Sequence, residues 1–230
     1  YGGNNMNIID VVIIMGLLLG GVTGLKNGFF KQGVVLLGTI LCFILAWFLK
    51  DIIANFLSFT LPFFNFAGPF EGLTSLNIVM YQLIAFMLLL CLFSSLLVIV
   101  IRFTGVFEKI LNMTIILGIP SKILGFIVGV LEAYVILFAI LFFFNQPAFN
   151  LEIMNESSMA PKIVNSSPGL SNIVGDMNDA INEIYDITKS YNQNQNKNVF
   201  NIRVVNILLK HDVIDQDYLN KLRAKGKINY

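Results

Sequence analysis

Residues 78–101 read IVMYQLIAFMLLLCLFSSLLVIVI, a run without a single charge that closes at Arg102. At the rise of an α-helix the run is about 36 Å long, enough to cross the roughly 30 Å of a hydrocarbon core with modest tilt. Helices buried in soluble proteins seldom reach this length without a charged position. Three more blocks of the same kind lie around it. One runs from Ile8 to Leu25 with Asp10 near its start. Another runs from Gly33 to Leu49 and closes at Lys50 and Asp51. The last, Ile123 to Phe144, holds one charge, Glu132.

Composition agrees: 56% of the residues are hydrophobic and 13% charged, about half the charged share of an ordinary soluble domain, and the mean hydropathy is +0.76. The chain therefore reads as an all-α membrane protein. Four transmembrane helices occupy residues 6–145, and a polar tail with short helices occupies 146–230. Residues 1–5 precede Met6 and are read as a leader or expression remnant outside the fold. Cys42 and Cys91 lie inside apolar blocks, where they act as small packing residues and not as a disulfide framework. The net charge of +1 and the lack of a basic stripe exclude a nucleic-acid partner.

Between the second and third spans, Ile52 to Asn77 is apolar but broken by Pro62, Gly68 and Pro69. It reads as a short helix lying in the membrane interface, with a re-entrant segment as the costlier alternative, because unpaired backbone at depth needs protein or water beside it. Lys26 and Lys31 flank the first connection, and Arg102, Lys109 and Lys122 the third; the other side carries only Lys50. The positive-inside rule then places the first and third connections in the cytoplasm and both termini outside. In the tail, Ser167 followed by Pro168 reads as a helix start. Leu170, Ile173, Val174, Met177, Ile181 and Ile184 then recur on one stripe. Asn192 to Asn198 reads as linker, and Asp215 as the cap of a last helix that stops at Gly226.

Three stretches carry a family resemblance. The chain opens Asn7-Ile8-Ile9-Asp10 and its first span ends Gly24-Leu25-Lys26-Asn27-Gly28-Phe29. Lys122-Ile123-Leu124-Gly125-Phe126-Ile127-Val128-Gly129 enters the last span, and Val164-Asn165-Ser166-Ser167-Pro168-Gly169-Leu170-Ser171 follows the membrane region. In order and spacing these resemble the colicin V production proteins, small bacterial membrane proteins, over Met6 to about Asp186. The resemblance implies four spans in the cytoplasmic (inner) membrane and a role in toxin production or export and envelope homeostasis. Asp10 and Pro168 are the matching positions. Some relatives carry a trypsin-like protease beyond the bundle; with His211 alone and no Gly-x-Ser-x-Gly stretch, the tail cannot assemble one.

Within the spans, Gly16, Gly20, Gly24 and Gly28 recur every four residues, and Gly125 and Gly129 repeat the device in the fourth span. Side-chain-free positions at this interval let another backbone approach closely, so the two faces are expected to meet, inside the bundle or across a homo-oligomer. Glu132 lies about 15 Å from Lys122 at helical rise. A carboxyl at that depth must face the bundle, either lining a polar path or fixing helix registry. Thr39 and Cys42 of the second span and Ser94 and Ser95 of the third are expected at its level. Trp47 and Tyr81 are expected in the interfacial aromatic belt, Arg102 as a snorkelling anchor, and His211 as a solvated tail residue. No metal-ligand spacing, phosphate loop or nucleophile–base pair is legible, so neither a cofactor nor an enzymatic activity is expected. The expected partners are the lipid bilayer and a second copy or other membrane proteins. The preferred role is a self-associating scaffold; an oligomeric channel or transporter with Glu132 in its path, or an anchor presenting the outer tail to a ligand, are the alternatives.

Overall fold

The computed structural model describes residues 7–66, 71–103, 118–145, 156–189 and 196–229. Among them every regular element is a helix: α1 (Ile8–Thr60), α2 (Leu76–Phe103), α3 (Gly118–Phe144), α4 (Ala160–Ser166), α5 (Leu170–Ile173), α6 (Gly175–Lys189), α7 (Lys197–Lys210) and α8 (Gln216–Ala224). The first three are long and apolar enough to cross a membrane. Residues 1–5, Lys109 and most of the Asn192 to Asn198 linker lie outside the described residues.

The first two apolar blocks were expected to be joined by a polar turn from Lys26 to Lys31. Helix runs through that stretch instead, and α1 breaks at one residue, Gly28, with φ 74° and ψ 168°. That backbone region is essentially closed to residues with a Cβ. The amide of Phe29, just past the break, donates to Ser121 Oγ at 3.2 Å.

The neighbours of each arm show that the chain reverses there. Along the first arm, Gly16 faces Leu137, Gly20 faces Gly129 and Ala133, and Gly24 faces Gly125, so numbering falls on α3 as it rises on α1. Along the second arm, Phe43 meets Phe138 and Trp47 meets Phe142, so numbering rises on both. The two arms therefore run in opposite directions along α3. α2 lies antiparallel on the second arm, with Gly38 against Leu97 and both Phe43 and Trp47 against Phe86.

Lipid offers no hydrophobic drive between helices, so close packing must supply cohesion. Phe43, Trp47, Phe86, Phe138 and Phe142 make four edge-on ring pairs with centroids 5.3–5.8 Å apart. Each such pair adds about 0.5–1.5 kcal/mol beyond area burial. Trp47 and Tyr81 are thus buried bundle residues and not belt residues. Lys50 is also buried; its ammonium lies 4.4 Å from the Trp47 ring centroid and 3.0 Å from Asp51.

Ile52 does not begin a separate helix: the second arm continues to Thr60, and Leu61 caps it. The residues just past this cap are pinned to the start of α2 by Asn77. That side chain accepts from the Phe64 amide at 2.7 Å and donates to the Phe64 carbonyl at 3.1 Å. The Tyr81 hydroxyl donates to the Pro62 carbonyl at 2.7 Å. A buried polar side chain earns its place by such reciprocal pairing.

The tail forms a helical cap on the bundle end away from Gly28. Val174, Met177, Ile181 and Ile184 share one buried cluster with Phe200, Val204 and Leu208, which is the stripe legible in the sequence. Asp215 caps α8 by accepting from the Tyr218 amide at 2.7 Å, and Gly226 follows its end with φ 65°. Ser167 and Pro168, by contrast, close α4 instead of opening a helix. Ser167 is the C-cap of α4, and Gly169 takes φ 76° before α5 begins. Glu183 accepts from Lys210 Nζ and His211 Nε2, each at 2.8 Å, and joins α6 to α7. The hydrogen bonds from Lys210 and His211 hold the Glu183 carboxyl below the usual range. His211 is therefore a half-buried partner of Glu183 and not a solvated residue.

Candidate functional site

Two places concentrate the polar chemistry of this apolar molecule: the joint between bundle and cap, and the surroundings of Glu132.

The joint centres on Asp10, in the first turn of α1. From the sequence this residue is expected at the outer interface, hydrated or capping its helix. The fold buries it to 2% exposure. Its Oδ1 accepts from Ser157 Oγ at 2.6 Å and from the Met159 amide at 3.0 Å. Its Oδ2 accepts from the Ser158 amide at 3.2 Å and from Ser158 Oγ at 3.3 Å. One carboxylate thus gathers the start of the cap, residues 157–159. Charge-assisted bonds of this kind are about twice as strong as neutral ones. Ser157 Oγ also accepts from the Ala160 amide at 2.9 Å, giving the first N–H of α4 an acceptor.

Three further contacts complete the joint. Tyr134 of α3 shares a hydrogen bond of 2.6 Å with Ser167 Oγ. Asn201 of α7 accepts from the Ser75 amide at 3.0 Å and hydroxyl at 2.7 Å, and donates to the Gly72 carbonyl at 3.2 Å. Tyr218 of α8 lies on Phe59, ring centroids 5.4 Å apart. Burial pushes its phenol up to about 12, so the ring stays neutral against the bundle. Both ends of α1, the residues entering α2 and the middle of α3 are therefore tied to the cap.

At mid-bundle, Glu132 Oε2 accepts a hydrogen bond from Gln32 Nε2. Asn27 donates to Gln32 Oε1 at 2.8 Å, so a short polar chain runs from the Gly28 break to the glutamate. Glu132 borders two cavities. One, of about 360 Å³ between the second arm, α2 and α3, is walled by apolar side chains together with Thr39 and Ser94. The other, of about 310 Å³, lies against Gly16, Gly20 and Thr23 of the first arm. Ser95 takes no part; its hydroxyl donates back to the Cys91 carbonyl at 2.8 Å within α2.

The small residues form a seam between the first arm and α3. A Cβ built on Gly24 would stand 1.9 Å from the Gly125 carbonyl oxygen, and one on Gly129 2.2 Å from that of Gly20. Gly28 closes the seam, its backbone 2.9 Å from a Cβ built on Gly125. Gly16 is looser, facing only the end of Leu137. The two glycine faces meet inside one chain.

Sequence reasoning missed Gln32, because ending the first connection at Lys31 and starting the next span at Gly33 left it in neither. It missed Ser157 and Ser158 because they precede the stripe it was following. The available signal was the Ser-Ser pair a few positions before Pro161, a helix-start pattern.

Apolar helices of membrane-spanning length, a sealed internal seam and a polar cap define the class: a helical integral membrane protein. Within that class the chain belongs to the colicin V production protein family, whose model matches residues 9–168. It is also 31% identical over 182 residues to the uncharacterized transmembrane protein YshB of Bacillus subtilis (strain 168), across 74% of this chain and 97% of that one. No solved structure matches it. The family match takes in Asp10, the seam, Glu132 and the first helix of the cap, and stops at Pro168.

Proposed function

We propose that this protein is a non-enzymatic scaffold of a bacterial cytoplasmic membrane, supporting production or export of a peptide toxin and upkeep of the envelope, with its cap as the working surface outside. The observation that carries the reading is the Asp10 joint, which makes the tail a fixed platform on the bundle and not a loose tether. The family's name supplies the toxin. The reversal at Gly28 supports four crossings. Lys26, Lys31, Arg102 and Lys122 gather at the Gly28 end, which supports a cytoplasmic position for it and an outer position for both termini and the cap. Self-association would have to use faces other than the glycine seam, which is filled within one chain. The exposed apolar positions of α1 and α2, such as Leu18, Leu37 and Leu92, face lipid or a neighbour.

Deleting residues 156–230 while the bundle still inserts tests the proposal. Loss of toxin output or envelope integrity is the expected result; full function without the cap would refute it. A second reading, a path through the membrane, is favoured by Glu132 standing between two cavities. It predicts that Glu132→Gln alters ion or solute flux in reconstituted vesicles, and identical flux in the variant would remove it.

A further inference from the structure

A third cavity, of about 270 Å³, opens where the end of the second α1 arm, the start of α2 and the α7–α8 turn come together. Four aspartates line it, Asp51, Asp212, Asp215 and Asp217, against one lysine, Lys221. Three of these carboxylates already have partners: Asp51 pairs with Lys50, Asp217 with Lys221, and Asp215 caps α8. Asp212 has no ion pair among the described residues, and the turn holds it exposed at φ 52°. Acidic clusters alone are common on surfaces, but one more group faces this cavity. Gln82 of α2 is 2% exposed, and its Oε1 is buried with no hydrogen-bond partner among the described residues. A buried acceptor left without a donor is costly, and a donor entering the cavity relieves it.

We propose that this cavity is a binding site for an organic cation: an ammonium or guanidinium on a flexible aliphatic stem, with its N–H donors on Gln82 and Asp212 and its stem along Phe59 and Tyr218. The two rings form the apolar wall, and aromatic faces attract such cations in addition to packing their stems. A chelated metal ion is the poorer fit, because among the described residues no three carboxylate, histidine or cysteine groups converge on one point. The cavity lies at the cap end and is open to one side, so a free polyamine or the basic side chain of a polypeptide could supply the cation. The site stands apart from the scaffold reading and needs neither Asp10 nor Glu132.

The test is titration calorimetry on the full chain in lipid nanodiscs with three probes: putrescine, an end-blocked glycine–arginine–glycine peptide, and magnesium chloride. Saturable binding of putrescine or the peptide is expected, weakened about tenfold or more in Asp212→Asn and in Gln82→Met. Asparagine tolerates the left-handed backbone at 212, so that variant keeps its fold and the test stands even if Gln82→Met does not fold. The tighter of the two organic probes identifies the source. Saturable binding of magnesium alone, binding of neither organic probe, or equal affinity in Asp212→Asn would each overturn the proposal.

Discussion

Gly24→Leu is expected to break the bundle. A Cβ at this position would already stand 1.9 Å from the Gly125 carbonyl oxygen and 2.7 Å from its carbon. Both are backbone atoms and cannot rotate away. The first arm and α3 would have to part along their whole contact, and the approaches at Gly20, Gly125 and Gly129 would be lost together. Overpacking usually costs about 1–3 kcal/mol when side chains can adjust. Here none can, so the loss should lie at or above the top of that range. Trp47, the chain's one tryptophan, is buried against Phe86 and Phe142 and reports the transition by fluorescence in detergent. Gly33→Ala is the control: a Cβ there meets nothing within 4 Å, and alanine favours helix over glycine. The seam is wrong if Gly24→Leu melts with the parent protein.

Asp10→Asn is expected to release the cap. The carboxylate accepts four hydrogen bonds through two oxygens. An asparagine keeps its shape but offers one oxygen, and its amide group would point donors at donors. Whichever way the amide turns, either the Ser157 hydroxyl and Met159 amide or the Ser158 pair lose their acceptor. Buried donors stranded in this way open locally. Hydrogen exchange over residues 160–166 should quicken about tenfold or more, while residues 118–130 at the far end of α3 keep their protection. Unchanged exchange in α4 would show that Asp10 does not hold the cap.

Much of this was legible because lipid imposes a coarse rule: long apolar runs must be helices. The apolar blocks, the Gly-x-x-x-Gly faces and the α6 stripe follow from periodicity and length alone. The reversal at Gly28 was hidden by its neighbours. Lys26, Asn27 and Lys31 look like turn residues, yet each sits in helix, and only the glycine between them leaves it. Glu132 is conspicuous as the lone charge in its span, but its partner Gln32 is an ordinary polar residue near a span boundary. Asp10 resembles a routine first-turn acid, and nothing local shows that its ligands lie almost 150 positions on, at Ser157–Met159. Trp47 and Tyr81 sit near the ends of their apolar runs, where belt residues belong; their burial comes from ring neighbours, and for Tyr81 from Pro62, Phe63 and Phe64, which composition does not reveal.

The most direct test of the account is sidedness. In a background of Cys42→Ala and Cys91→Ala, single cysteines would be placed by Asn220→Cys on the cap and by Lys122→Cys at the Gly28 end, both exposed positions. A membrane-impermeant maleimide is then applied to intact cells. The account predicts that the cap cysteine is labelled at once and the Lys122→Cys thiol only after the membrane is opened. Labelling of both from one side, or the reverse order, would contradict it.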